Sequence, residues 1–108
     1  MSSDASPEIL IALSNAVVGR EEEFESWYWE QHIPEVLALP GFLSARRYKL
    51  PGDPGPGAPY RYATIYEIEG SADEARGRLY STPGLSSSET MDDGDLVMAP
   101  YVPAPAEK

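Results

Sequence analysis

Nine consecutive residues, Pro51-Gly52-Asp53-Pro54-Gly55-Pro56-Gly57-Ala58-Pro59, hold four prolines and three glycines. Proline lacks the N–H that a helix or a ladder needs, and glycine leaves the backbone without a preferred conformation. The segment is therefore a mobile connection. What flanks it is regular. Phe42–Leu50 alternates Phe42, Ser44, Arg46, Tyr48 and Leu50 against Leu43, Ala45, Arg47 and Lys49, and Tyr60–Glu69 places Tyr60, Tyr62, Thr64, Tyr66 and Ile68 on one side. A period of two is the signature of a strand. Two strands joined by a loop that can be neither helix nor strand make an antiparallel hairpin in the middle of the chain.

The rest of the chain arranges itself around that hairpin. Ile9-Leu10-Ile11-Ala12-Leu13 is apolar without alternation, as in a strand covered on both faces. Glu21, Glu22, Glu23 and Glu25 follow Gly19, and carboxylates are favoured where the helix dipole is positive, so a helix is expected over Arg20–Leu39. Pro34 removes one helical N–H and crowds the Glu30 carbonyl, predicting a kink one turn from the end, and Pro40-Gly41 stops the helix. Ser71-Ala72-Asp73-Glu74 has capping-box spacing and opens a shorter helix through about Tyr80. Ser81–Gly94 reads as loop with one helical turn near Ser86–Met91, and Asp95–Val102 as a fourth strand. The order strand, helix, strand, strand, helix, strand gives an α+β fold, a ferredoxin-like βαββαβ subunit with a four-stranded antiparallel sheet. Residues 7–103 form one domain, with 1–6 and 104–108 as disordered ends. Two helices cover only one face of such a sheet. The apolar first strand then calls for cover on the other, which a second copy of the chain supplies, making a homodimer through the sheet face.

With 18 acidic residues against eight Lys and Arg, the net charge is -10. Phosphate backbones and anionic membranes, which attract clustered cations, are poor partners, so neither nucleic acid nor membrane is expected. There is no cysteine, hence no disulfide, thiolate nucleophile or cysteine-based metal site. No apolar run approaches the roughly 20 residues that span a bilayer. The composition fits a cytoplasmic protein.

One stretch carries most of the chemistry. Within Glu23-Phe24-x-x-Trp27-Tyr28-x-x-x-His32-Ile33-Pro34-x-Val36-x-x-x-Pro40-Gly41-Phe42 an aromatic pair, a histidine shortly followed by proline, and a Pro-Gly-aromatic turn occur in order. Over about residues 20–48 the chain resembles the EthD-like branch of the dimeric α/β-barrel superfamily. The resemblance implies a ferredoxin-like subunit that pairs through its sheet into a dimeric α/β barrel, with a small pocket between helix and sheet. It also implies kinship with cofactor-free cyclases, decarboxylases, isomerases and monooxygenases acting on aromatic or polyketide-like carbonyl compounds, and it marks His32 as the position matching the family's candidate catalytic histidine.

Read on its own chemistry, His32 is the only side chain whose ordinary pKa of ~6.5 allows proton uptake and release near neutrality. Tyr28, four residues before it, and Glu35, three after, are placed to orient the ring. A half-buried histidine that only satisfies a backbone carbonyl fits the same spacing. Trp27, Tyr28 and Trp29 are consecutive, so at ~100° per residue they cannot all face one way, and one must meet solvent or a partner. His32 and Tyr28 are the catalytic candidates. Trp27, Arg46, Tyr62 and Tyr66 are the candidates for substrate binding, the tyrosines as neutral donors to a developing oxyanion and an arginine as anchor for a carboxylate. Arg46 and Arg47 point to opposite faces; strand parity does not settle which looks into the pocket, and we assign Arg46. His32-x-x-Glu35 would need further ligands to hold a metal, and the glycines of 52–57 are interleaved with prolines that remove phosphate-binding N–H groups, so no metal and no cofactor is expected. The expected function is a cofactor-independent lyase, isomerase or cyclase in which His32 moves a proton on a small aromatic or polyketide-like carbonyl substrate. The alternatives are a non-catalytic homodimeric protein that binds a small hydrophobic or aromatic ligand and, more remotely, cofactor-free oxidation.

Overall fold

The computed structural model describes residues 6–83, 85, 88–91 and 96–104. Strand β1 (Glu8–Ser14) leads into α1 (Glu21–Trp27), which runs through a π segment (Tyr28–His32) into α2 (Ile33–Leu37); β2 (Phe42–Lys49), β3 (Tyr62–Ile68), α3 (Ala72–Ser81) and β4 (Val97–Tyr101) follow. All three strand pairings are antiparallel and the sheet order is β2-β3-β1-β4. The fold is α+β, compatible with a ferredoxin-like subunit, and both helical stretches pack on one face of the sheet. The expected helical turn near Ser86–Met91 falls partly outside the described residues, as do most of the two chain ends.

Residues opposite one another on antiparallel strands share a face. Leu10, Ala12 and Ser14 on β1 lie across from Tyr66, Thr64 and Tyr62 on β3, and all six are buried beneath the helices. Val36, Phe42, Ile68, Ala72, Ala75 and Leu79 complete one core; Phe24, Tyr28, Ile33 and Tyr62 form a second beside it. The alternate residues, Ile9, Ile11 and Leu13 on β1, Ala63 and Ile65 on β3, Val97 and Ala99 on β4, turn to the other face. β1 is thus alternately buried and half-buried within one chain, not covered on both sides.

Local chemistry sets the element boundaries. Glu21, Glu22 and Glu23 occupy the first turn of α1, while the Ser71 hydroxyl caps α3 by accepting from the Glu74 N–H at 3.1 Å. Gly41 sits at φ 89°, where a side chain would be strained, and a Cβ there would come within 2.8 Å of the Arg78 guanidinium. That guanidinium donates from Nε to the Pro40 carbonyl at 3.1 Å, closing the turn after α2. The Pro/Gly loop is more ordered than its composition suggests. Gly55 and Ala58 exchange two backbone hydrogen bonds of 3.0 Å, and Asp53 pairs with Arg61 at 2.8 Å.

The helix does not simply kink at Pro34. Its backbone widens one turn earlier, where the Ile33 N–H reaches back to the Tyr28 carbonyl. Pro34 has no N–H for the Glu30 carbonyl and its ring needs the space that carbonyl takes in an α-helix, so a five-residue turn accommodates both. A second irregularity lies in β2. Phe42 pairs with Ile68 but Ser44 pairs with Glu67, so Leu43 is an extra residue on that strand.

Candidate functional site

The bulge at Leu43 decides which arginine enters the helix-side layer. Phe42 is buried, and in an unbroken strand Arg46 would share its face. The inserted residue inverts the parity beyond it: Arg46 lies opposite Ile65 on the helix-free face and is exposed, whereas Arg47 lies opposite Thr64 beneath α1. The assignment of Arg46 to the pocket is corrected to Arg47.

Arg47 is a buried cation, its side chain 6% exposed. Its Cζ stands 3.8 Å from the centroid of the Tyr28 ring, with Tyr62 at 5.4 Å and Phe24 at 5.7 Å. Nη1 donates to the Thr64 hydroxyl at 3.0 Å, and Nη2 is ion-paired with Glu25, the residue after Phe24 on α1 and 35% exposed. A guanidinium is weakly hydrated and planar, so it tolerates ring stacking at a modest desolvation cost, provided a counter-charge is close.

His32 closes the other side of the same ring. Its imidazole stacks on Trp27 (centroids 4.9 Å apart, planes at 28°) and meets Tyr28 edge-on at 4.7 Å. Phe24 links Tyr28 and Tyr62 at 5.4 and 5.0 Å. Burial pulls the imidazole pKa down to about 4; Glu35 opposes the shift and the Arg47 charge adds to it. At neutral pH the ring is an uncharged acceptor and donor. Burial, with Tyr28 alongside, also pushes the Tyr66 phenol well above its ordinary range, and Tyr62 is raised by burial and by the Glu25 charge. All three side chains are held in their neutral forms.

Four buried side-chain polar atoms among the described residues lack a hydrogen-bond partner: Ser14 Oγ, His32 Nδ1, Arg47 Nε and Tyr66 Oη. They come from four different elements, and all lie in the layer between helix and sheet. Such atoms are uncommon because each forgoes water without replacement. Tyr28 touches two of their owners, His32 in an edge-to-face contact and Arg47 through its ring face, and its hydroxyl acts electrostatically on a third, Tyr66.

The structure places the sequence candidates unevenly. His32, Tyr28, Trp27, Tyr62 and Tyr66 lie in or beside this cluster; Arg46 does not. Trp29 is 52% exposed, the member of the aromatic triplet turned outward. Arg47, Thr64 and Glu25 belong to the cluster too. Arg47 was visible as the alternative to Arg46, and Glu25 had only the character of a helix-start carboxylate. A cleft of about 380 Å³ opens beside Tyr62, lined also by Asn15, Glu21, Asp53 and Arg61 between the start of α1 and the Pro/Gly loop. An outer groove on α1 is lined by Glu22, Glu23, Trp27 and Glu30. His32 lines neither.

Comparison with protein-family models, with curated proteins and with solved structures finds no match to this chain. Among the described residues no helix is long and apolar enough to cross a membrane, and no group of three or more His, Asp or Glu is arranged to hold a metal ion.

Proposed function

We propose that the chain is a cofactor-independent, EthD-like acid/base enzyme of the lyase, isomerase or cyclase type, acting on a small aromatic or polyketide-like carbonyl compound as a cytoplasmic homodimer. The observation that carries this reading is the convergence of His32 and Arg47, each with an unsatisfied nitrogen, on the ring of Tyr28, whose hydroxyl also acts on Tyr66. A base, a fixed positive charge and a neutral donor are the parts that proton abstraction next to a carbonyl requires. In the proposed step the neutral imidazole takes a proton from the carbon beside the carbonyl. The C–H electrons move into the C–C bond and the carbonyl π electrons onto oxygen. Arg47 and the Tyr66 hydroxyl stabilise the resulting enolate, whose charge in turn favours the imidazolium. Return of the proton to another atom completes an isomerisation or cyclisation.

The homodimer is supported by the helix-free sheet face, where Ile9, Ile11, Leu13, Ala63, Ile65, Val97 and Ala99 make an apolar surface interrupted by exposed Arg46 and by the Ser44–Glu67 hydrogen bond of 3.0 Å. A second copy, offering the same surface, buries it isologously.

The test is solvent deuterium incorporation at the methylene carbon of phenylpyruvate. Wild-type protein is expected to accelerate it over buffer and His32→Gln to lose at least 100-fold of that acceleration, within the usual range for one acid/base group. Absence of acceleration, or acceleration that survives His32→Gln, removes the proton-transfer reading. A second reading, a non-catalytic binding protein, is favoured by the stack of Trp27 on His32, which covers one face of the ring. Saturable binding of aromatic acids without isotope exchange would support it.

A further inference from the structure

The Arg47 guanidinium offers three edges, and they are used unequally. Nη1 is bound to Thr64, Nη2 to a single oxygen of Glu25, and Nε to nothing. Nε and Nη2 form the side-on edge that a carboxylate ordinarily grips with both oxygens. Glu25 fills half of it, reaching in from a half-exposed position on α1. A buried cation needs a counter-charge whether or not a ligand is present, and Glu25 supplies one that is anchored only at its own helix and can swing back to solvent.

We propose that Glu25 is a resident stand-in for a ligand carboxylate. The site takes a small aromatic carboxylate, which displaces Glu25 from Arg47 and grips Nε and Nη2 together while its ring lies against Tyr62 in the adjoining cleft. This deepens the proposed function by naming the substrate class, and it makes Glu25 a specificity-determining residue. Glu25 selects for anions strong enough to replace it and keeps the cation neutralised between ligands. Tyr62, shared between the aromatic cluster and the adjoining cleft, gives the ligand a way in from the start of α1.

The experiment measures binding of benzoate and of its uncharged isostere benzamide to the intact protein by isothermal calorimetry and thermal shift. Wild type is expected to bind benzoate and not benzamide. Glu25→Gln removes the competitor and is expected to bind benzoate about fivefold more tightly, an effect of the size expected when one partly exposed competing charge is lost. Its Tm without ligand falls, and benzoate restores it. Glu25→Asp, which keeps the charge but shortens its reach, is expected to tighten binding as well and carries the comparison if the glutamine variant does not fold. Arg47→Lys, lacking the planar edge, loses the preference. Equal binding of benzoate and benzamide, or weaker benzoate binding in both Glu25 variants, overturns the proposal. Benzoate selectivity without isotope exchange into phenylpyruvate leaves it standing while removing the catalytic reading. Exchange without carboxylate selectivity does the reverse.

Discussion

At the scale of single residues, the fold holds a histidine, an arginine and two tyrosines in a space where polar groups are usually excluded, and burial shifts the histidine and both tyrosines toward their neutral forms. His32 titrates in the unfolded chain near ~6.5 and in the folded protein at about 4. Between these values the unfolded chain binds a proton that the native one does not. The contribution is therefore fully present above ~6.5 and is lost as pH falls toward 4. Between pH 7 and pH 4.5 it amounts to about 2 kcal/mol. Urea denaturation of wild type and His32→Gln at the two pH values measures it as the difference in their losses, the variant losing less. Phe24 is fully buried and holds Tyr28 and Tyr62 in place. Phe24→Ala is expected to destabilise by ~3–5 kcal/mol in the same assay.

At the scale of elements, local chemistry explains most boundaries and also the two places where a simple period misleads. Ser71 accepts the Glu74 N–H as the capping spacing requires, and Ser71→Ala is expected to cost about 1 kcal/mol, read from denaturant midpoints. The hairpin was legible because prolines and glycines punctuate it and because Tyr62, Thr64, Tyr66 and Ile68 keep a strict period. Pro34 announced a disturbance, but whether a helix kinks or widens depends on how the aromatic cluster packs around Tyr28, which no local pattern records. The bulge was less legible still: Leu43 continues the alternation in type, and only the pairing, Phe42 with Ile68 but Ser44 with Glu67, shows that the strand has gained a residue. A one-residue shift sends every later side chain to the other face, which is why Arg46 and Arg47 exchange places. The π turn carries a prediction. Pro34→Ala restores an N–H for the Glu30 carbonyl and removes the ring's crowding, so the turn is expected to relax toward α geometry and rotate His32 out of its stack. An NMR titration should then show the His32 midpoint rising from about 4 toward ~6.5; an unchanged midpoint means that packing, not proline, maintains the π segment.

At the scale of the whole molecule, the two faces of the sheet are given different work. The helix side encloses the titratable cluster, and the other side presents Ile9, Ile11, Leu13 and Ile65. An apolar surface of this kind was legible as a demand, since Ile9-Leu10-Ile11-Ala12-Leu13 has hydrophobic residues at both parities, but who answers the demand is not written in one chain. Sedimentation velocity is expected to show a dimer at micromolar concentration, and Ile65→Glu, which places a charge at the middle of that surface, is expected to yield a folded monomer. A monomeric wild type contradicts the pairing without touching the helix-side cluster. That cluster rests on the state of one proton. Because the chain has a single histidine, an NMR titration of its imidazole in the intact protein isolates it: the account requires a midpoint near about 4, and a midpoint at or above ~6.5 would put the ring in water and leave the cluster without its base.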